Sequence, residues 1–215
     1  MPKLSVYKFL AYFAIKYFLV ISKSNRKLND RNKFMFHRRR KKIKLLNKTN
    51  CTHQEFKQRF IQNPFNLWLL EQKNLLRSIF ELVDLFNKDH LNRLLAGNEI
   101  VFLLASGEYA CTINPPENTH LILVFPELRR LLSNVDNERG LAVLAHEIGH
   151  LYHQHYLRDI STIESQIEAD DFAFQCGLGH GLVEVLLNYR DIDSQTRVSI
   201  LTSKILSNHQ SNILK

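Results

Sequence analysis

Five consecutive residues of this 215-residue chain, His146-Glu147-Ile148-Gly149-His150, combine side-chain types and a spacing suited to metal chemistry. In a helix, residues four apart stand one turn above one another, so the two imidazoles can offer nitrogens to a single ion. Glu147 follows the first histidine and lies beside that ion, where its carboxylate can hold a water without being a ligand. A zinc ion there brings the pKa of such a water to about 7, and the carboxylate can take its proton and hand it to a leaving amine. The expected chemistry is hydrolysis of a peptide bond, with His146 and His150 as metal ligands and Glu147 as the catalytic base. Gly149 is expected to leave backbone space for a cleft.

A catalytic zinc has three protein ligands and one open position. The third ligand is expected on the next helix, within residues 164–173, which hold Glu164, Gln166, Glu168, Asp170 and Asp171. Glu164 and Glu168 share one helical face, and Gln166 and Asp170 share another. His153 and His155 read as surface histidines able to take up stray metal. His155 also misses the spacing of the longer three-histidine motif, whose third position is Tyr156 here. His180, in a glycine-rich turn, reads as structural or adjacent to substrate.

Leu144-Ala145-His146-Glu147-Ile148-Gly149-His150, followed by Glu168-Ala169-Asp170-Asp171-Phe172-Ala173, resembles the gluzincin peptidases related to the CAAX prenyl protease and the heat-shock membrane protease. The resemblance runs over residues 99–186 and implies zinc, a substrate-binding strand at 120–125 and an Asp170 that orients His146. It also implies a zinc-binding Glu three residues before the Ala-Asp pair, a position that Gln166 occupies in this chain. A neutral amide is a poorer zinc donor than a carboxylate. Glu168 is therefore the expected third ligand, with Glu164 next.

The elements that must position these groups can be read from periodicity. Apolar residues at three- and four-residue spacing predict one helix over 65–86, entered through Asn63-Pro64. Residues 99–105 and 109–113 read as strands around Ser106-Gly107, forming a hairpin, and 120–125 as a third strand. Pro126 opens a helix through Leu132, and Leu141, Leu144, Ala145, Ile148 and Leu151 predict a helix over 138–155. A further helix ends near Gly177. The expected fold class is α+β and zincin-like, mainly helical, with a small antiparallel sheet next to the helix that carries the two histidines.

The formal net charge of +8 is unevenly spread. Residues 1–50 hold fifteen Lys and Arg against one acid, Asp30, whereas the rest of the chain is net acidic. Residues 1–50 are thus expected to be a basic N-terminal arm, and 51–215 the metallopeptidase domain. Within the arm, 6–21 reads as an amphipathic helix lying in a membrane interface, because Lys8 and Lys16 interrupt its apolar run. The cluster Arg38-Arg39-Arg40-Lys41-Lys42 suits an anionic membrane surface first and nucleic acid second. Cys51, Cys111 and Cys176 are too few for a disulfide framework and suit a reducing compartment. The expected location is cytoplasmic or membrane-associated, and the expected partner a polypeptide substrate. The alternative to a working peptidase is a binding or regulatory protein on the same scaffold, weakened by Gln166.

Overall fold

The computed structural model describes residues 51–94, 98–105, 110–113 and 119–213. The amphipathic segment and the basic cluster expected within 1–50 lie outside the described residues.

Helix α1 (His53–Gln62) starts with a reciprocal cap. The Glu55 N–H donates to Thr52 Oγ1 at 3.2 Å and the Thr52 N–H donates to the Glu55 carboxylate at 2.8 Å. The helix expected over 65–86 is divided. Pro64–Glu71 is a 3-10 segment, and α2 (Lys73–Asp84) begins only after Gln72. Tertiary bonds account for the break. Asn66 donates to the Ile100 carbonyl at 2.9 Å and accepts from the Phe102 N–H at 3.0 Å, and the Trp68 indole donates to the Phe102 carbonyl at 3.0 Å. Those bonds tie the 3-10 segment to the backbone of a strand, which periodicity cannot register.

After α3 (Lys88–Leu94) come the strands β1 (Glu99–Leu104), β2 (Ala110–Ile113) and β3 (Thr119–Val124), in the spatial order β1-β3-β2. The expected hairpin of β1 with β2 is not formed, because β3 lies between them. β1 runs parallel to β3, with Glu99 opposite Thr119, and β2 runs antiparallel to β3, with Ala110 opposite Val124. The sheet is therefore mixed rather than antiparallel. Ile122 and Val124 are fully buried, and a strand so enclosed gains by pairing on both sides. Both edges of β3 are thus used, and the outer edge of β1 is taken by Asn66 and Trp68. A peptide cannot be added along 120–125, as the sequence suggested. Among the described residues, the edge left without a partner strand is that of β2.

Pro126 is the first residue of α4 (Pro126–Ser133). Helix α5 (Glu138–Tyr152) buries Leu141, Leu144, Ala145, Ile148 and Leu151 as expected, and also Gly140, Ala142 and Val143. It is enclosed by α4, by β2, and by α6 (Thr162–Gln175) and α7 (Gly179–Leu186). α5 stops three residues before the expected 155. Gln154 takes a left-handed conformation (φ 54°, ψ 42°), and His155–Leu157 forms a separate 3-10 turn. Helix α6 ends at Gln175 and is closed off by Gly177 (φ 81°), where the Leu178 N–H reaches the Ala173 carbonyl at 3.0 Å and the Gly177 N–H reaches that of Phe174 at 2.9 Å. Helix α8 (Ile192–Ile213) packs on α6 and α7.

Gly149 does not open a cleft. It is buried where α5 meets α6, and a Cβ there would stand 2.9 Å from the Cα and carbonyl oxygen of Ala169 and 3.0 Å from Phe172 Cβ. These are backbone and first-carbon atoms, so relief requires the helices to part. Gly149→Ala is expected to cost about 1–3 kcal/mol of stability despite alanine's better helix propensity, measured by urea unfolding.

Candidate metal centre

Helices α5 and α6 bring His146, His150 and Gln166 to one point. The Nε2 atoms of His146 and His150 are 3.2 Å apart, and Gln166 Nε2 is 3.3 Å from His150 Nε2. Two atoms each about 2.0–2.1 Å from one tetrahedral zinc lie roughly 3.3–3.4 Å from one another, so these separations suit a shared ion. Turning the Gln166 amide over exchanges its nitrogen for the carbonyl oxygen, which is the donor a metal needs.

The far side of each imidazole is engaged. His146 Nδ1 lies 2.8 Å from Asp170 Oδ1, and His150 Nδ1 lies 2.7 Å from His155 Nδ1. With the tautomer that places a proton on each Nδ1, facing these partners, both Nε2 atoms carry free lone pairs. Two lone pairs facing each other at 3.2 Å repel unless a cation stands between them, and the site therefore fits a metal such as zinc. Burial, with smaller contributions from the charges of His146 and His155, pushes the His150 pKa down to about 3, so the ring is neutral and available for ligation at pH 7.

Asp170 is almost wholly enclosed. Burial alone would favour its neutral form, but Arg197 of α8 donates to both of its oxygens at 2.7 Å, and His146 adds to this. The balance leaves the Asp170 pKa lowered. Glu147, half-buried on α5, has its pKa raised to about 7 by burial, with the charges of His146 and Arg197 partly opposing the rise. A cation at the histidine pair would favour its ionised form.

The other acids of α6 lie elsewhere. Glu168 does not face the histidine pair. Its Oε2 accepts from His155 Nε2 at 2.9 Å, and its carboxylate is held by the Arg158 guanidinium, with Nη2 to Oε1 at 3.0 Å. Arg158 and His155 hold the Glu168 pKa down at about 2. Glu164 is exposed in the first turn of α6, behind the Ser161 cap. The third position at the pair is therefore taken by Gln166. The face shared by Gln166 and Asp170 is the one α6 turns to α5, because Ala169 must lie against Gly149.

His155, expected on the surface, is half-buried between His150 and Glu168, carried there by the turn at Gln154. His180 is exposed, its ring 6.4 Å from that of His209. Sequence reasoning missed Arg197, which lies 27 residues beyond Asp170 in a helix of mixed polarity. Nothing in its neighbourhood marks it.

Residues 120–207 match the model of Peptidase family M48. The matched span begins in β3 and takes in both histidines, Glu147, the Gln166 to Asp170 stretch and Arg197. The match supports a metallopeptidase, and peptidases of this family are generally zinc-dependent. Among curated proteins and among solved structures no match is found.

Two substitutions test this geometry. Gln166→Glu adds a negative charge at the pair and is expected to tighten zinc binding roughly tenfold or more, read by competition with a chromogenic chelator. Arg197→Ala strips Asp170 of its buried counter-charge and is expected to cost about 3 kcal/mol in denaturant unfolding.

Proposed function

We propose that this protein is a zinc-dependent metalloendopeptidase of zincin type, hydrolysing peptide bonds with Glu147 as general base. The observation that carries the reading is the 3.2 Å approach of two imidazole nitrogens whose outer nitrogens lie against Asp170 and His155. His146, His150 and Gln166 would hold the zinc, which when bound supplies a Lewis acid that acidifies water and polarises a carbonyl.

The other work falls to the chain itself. Glu147 takes a proton from the attacking water and delivers it to the leaving amine nitrogen. Burial raises the Glu147 pKa and a bound cation would lower it, and a carboxylate held between these opposing effects can both take and return a proton near neutrality. Asp170 and Arg197 keep the Nδ1 proton of His146 fixed, so that Nε2 stays available for the metal. Substrate in this reading pairs with the edge of β2 that carries no partner strand among the described residues; β2 packs against α5, and main-chain hydrogen bonds would draw the scissile peptide along that helix.

The basic arm of residues 1–50 would hold the enzyme at an anionic membrane surface, supported by its fifteen Lys and Arg against one acid. Among the described residues no helix is long and apolar enough to cross a membrane.

A second reading, a binding or regulatory protein on the peptidase scaffold, is favoured by one observation: the third position at the pair is a neutral amide. Metal content and peptide cleavage separate the two. The purified protein should carry zinc that His146→Ala removes from the pair. Glu147→Gln should keep that zinc while cleavage of an unstructured protein substrate falls by about 10²–10⁴-fold. Zinc bound at the pair without cleavage by the wild type supports the binding protein instead. Cleavage that survives Glu147→Gln would remove that residue from the mechanism.

A further inference from the structure

Beyond the histidine pair, three more donors converge. His153 caps the end of α5, His155 opens the following 3-10 turn, and Glu168 approaches both from α6. Glu168 Oε2 is 2.9 Å from His155 Nε2 and 3.7 Å from His153 Nδ1, and one donor atom from each of the three residues lies within 4.8 Å of the others. The two rings stack, 5.4 Å between centroids and 8° from parallel, so both present an edge to the carboxylate. Side-chain exposures of 23% for His153 and 27% for Glu168 leave the group open to solvent.

Arg158 shares this carboxylate. Its Nη2 bonds Oε1, the oxygen the two histidines do not contact, and only its Nη1 reaches Oε2. The Arg158 side chain is 38% exposed and can withdraw Nη1 while keeping the bond to Oε1, as carboxylate ligands commonly keep a second hydrogen-bond partner. Two imidazoles and a carboxylate suit zinc and similar transition ions rather than calcium or magnesium.

We propose that His153, His155 and Glu168 form a second transition-metal site, and that filling it weakens metal binding at His146 and His150. The first half stands on the donor cluster alone. The second rests on the reading of the histidine pair as a metal site.

The coupling follows from one shared proton. To bind a metal through Nε2, neutral His150 must carry its proton on Nδ1, which then donates to His155 Nδ1 at 2.7 Å. His155 accepts there only if its own proton sits on Nε2, donated to Glu168 at 2.9 Å. An ion at the second site needs His155 Nε2 bare, which moves that proton to Nδ1. Two N–H groups would then face each other at 2.7 Å. The rings must then separate, which draws His150 away from the first site.

The test uses the full chain, with cobalt(II) in place of zinc, followed by equilibrium dialysis and visible absorption. The expected result is two ions per wild-type chain, and one each for His153→Ala and His146→Ala. Glu168→Gln, which keeps the side chain's shape, should lose the same ion as His153→Ala. In wild type, filling the second site should weaken the first by about tenfold or more, and His153→Ala should abolish that weakening. The proposal is overturned if His153→Ala binds as many ions as wild type, or if the second ion binds without affecting the first. Should His146→Ala leave metal content unchanged while His153→Ala lowers it, the peptidase reading falls and the second site stands.

Discussion

Helices α5 and α6 touch through Gly149 and Ala169, with no room between them for one added carbon. That contact sets the depth at which α6 sits, and with it the rotation that turns Gln166 and Asp170 toward the histidines. Glu168 and Glu164, on another face of α6, are carried away from the pair by the same rotation. The side chains gathered at the pair are thus decided by a steric constraint between two backbones rather than by which carboxylates happen to be nearby.

The electrostatics follow from that placement. A buried Asp170 between an imidazole and a guanidinium is fully bonded and stays ionised. The third group at the pair, Gln166, carries no charge, so on the proposed reading a divalent ion there would keep its full positive charge against neutral ligands. Such a site binds metal less tightly than one with a carboxylate, and it acidifies bound water more strongly, since no ligand charge offsets the ion. Affinity and acidity would be opposed at such a site, and Gln166 would set the balance.

Much of this arrangement was legible in the sequence. Residues at i and i+4 on a helix must share a face, so the pairing of His146 with His150, and of Gln166 with Asp170, followed from geometry alone. Choosing between the two faces of α6 required knowing that Gly149 is a packing surface, and a lone glycine inside a helix does not declare its purpose. Strand existence was readable from the apolar runs, whereas strand order was not. The parallel pairing of β1 with β3 depends on burial of Ile122 and Val124, and the 3-10 segment depends on bonds from Asn66 and Trp68 to residues more than thirty positions away. Periodicity alone continues α5 through 155 and leaves His155 on the surface, because it does not register the left-handed residue at Gln154.

Arg197 gives the site a temporal order. The carboxylate beside His146 is itself neutralised by a guanidinium 27 positions further along the chain, on α8. During synthesis the histidine pair leaves the ribosome about fifty residues before that guanidinium does. Until α8 docks, Asp170 has no reason to stay buried and ionised beside the imidazole, and a metal would meet a loose, poorly oriented pair of rings. On the proposed reading, the two rings are oriented for an ion only once Arg197 has met Asp170.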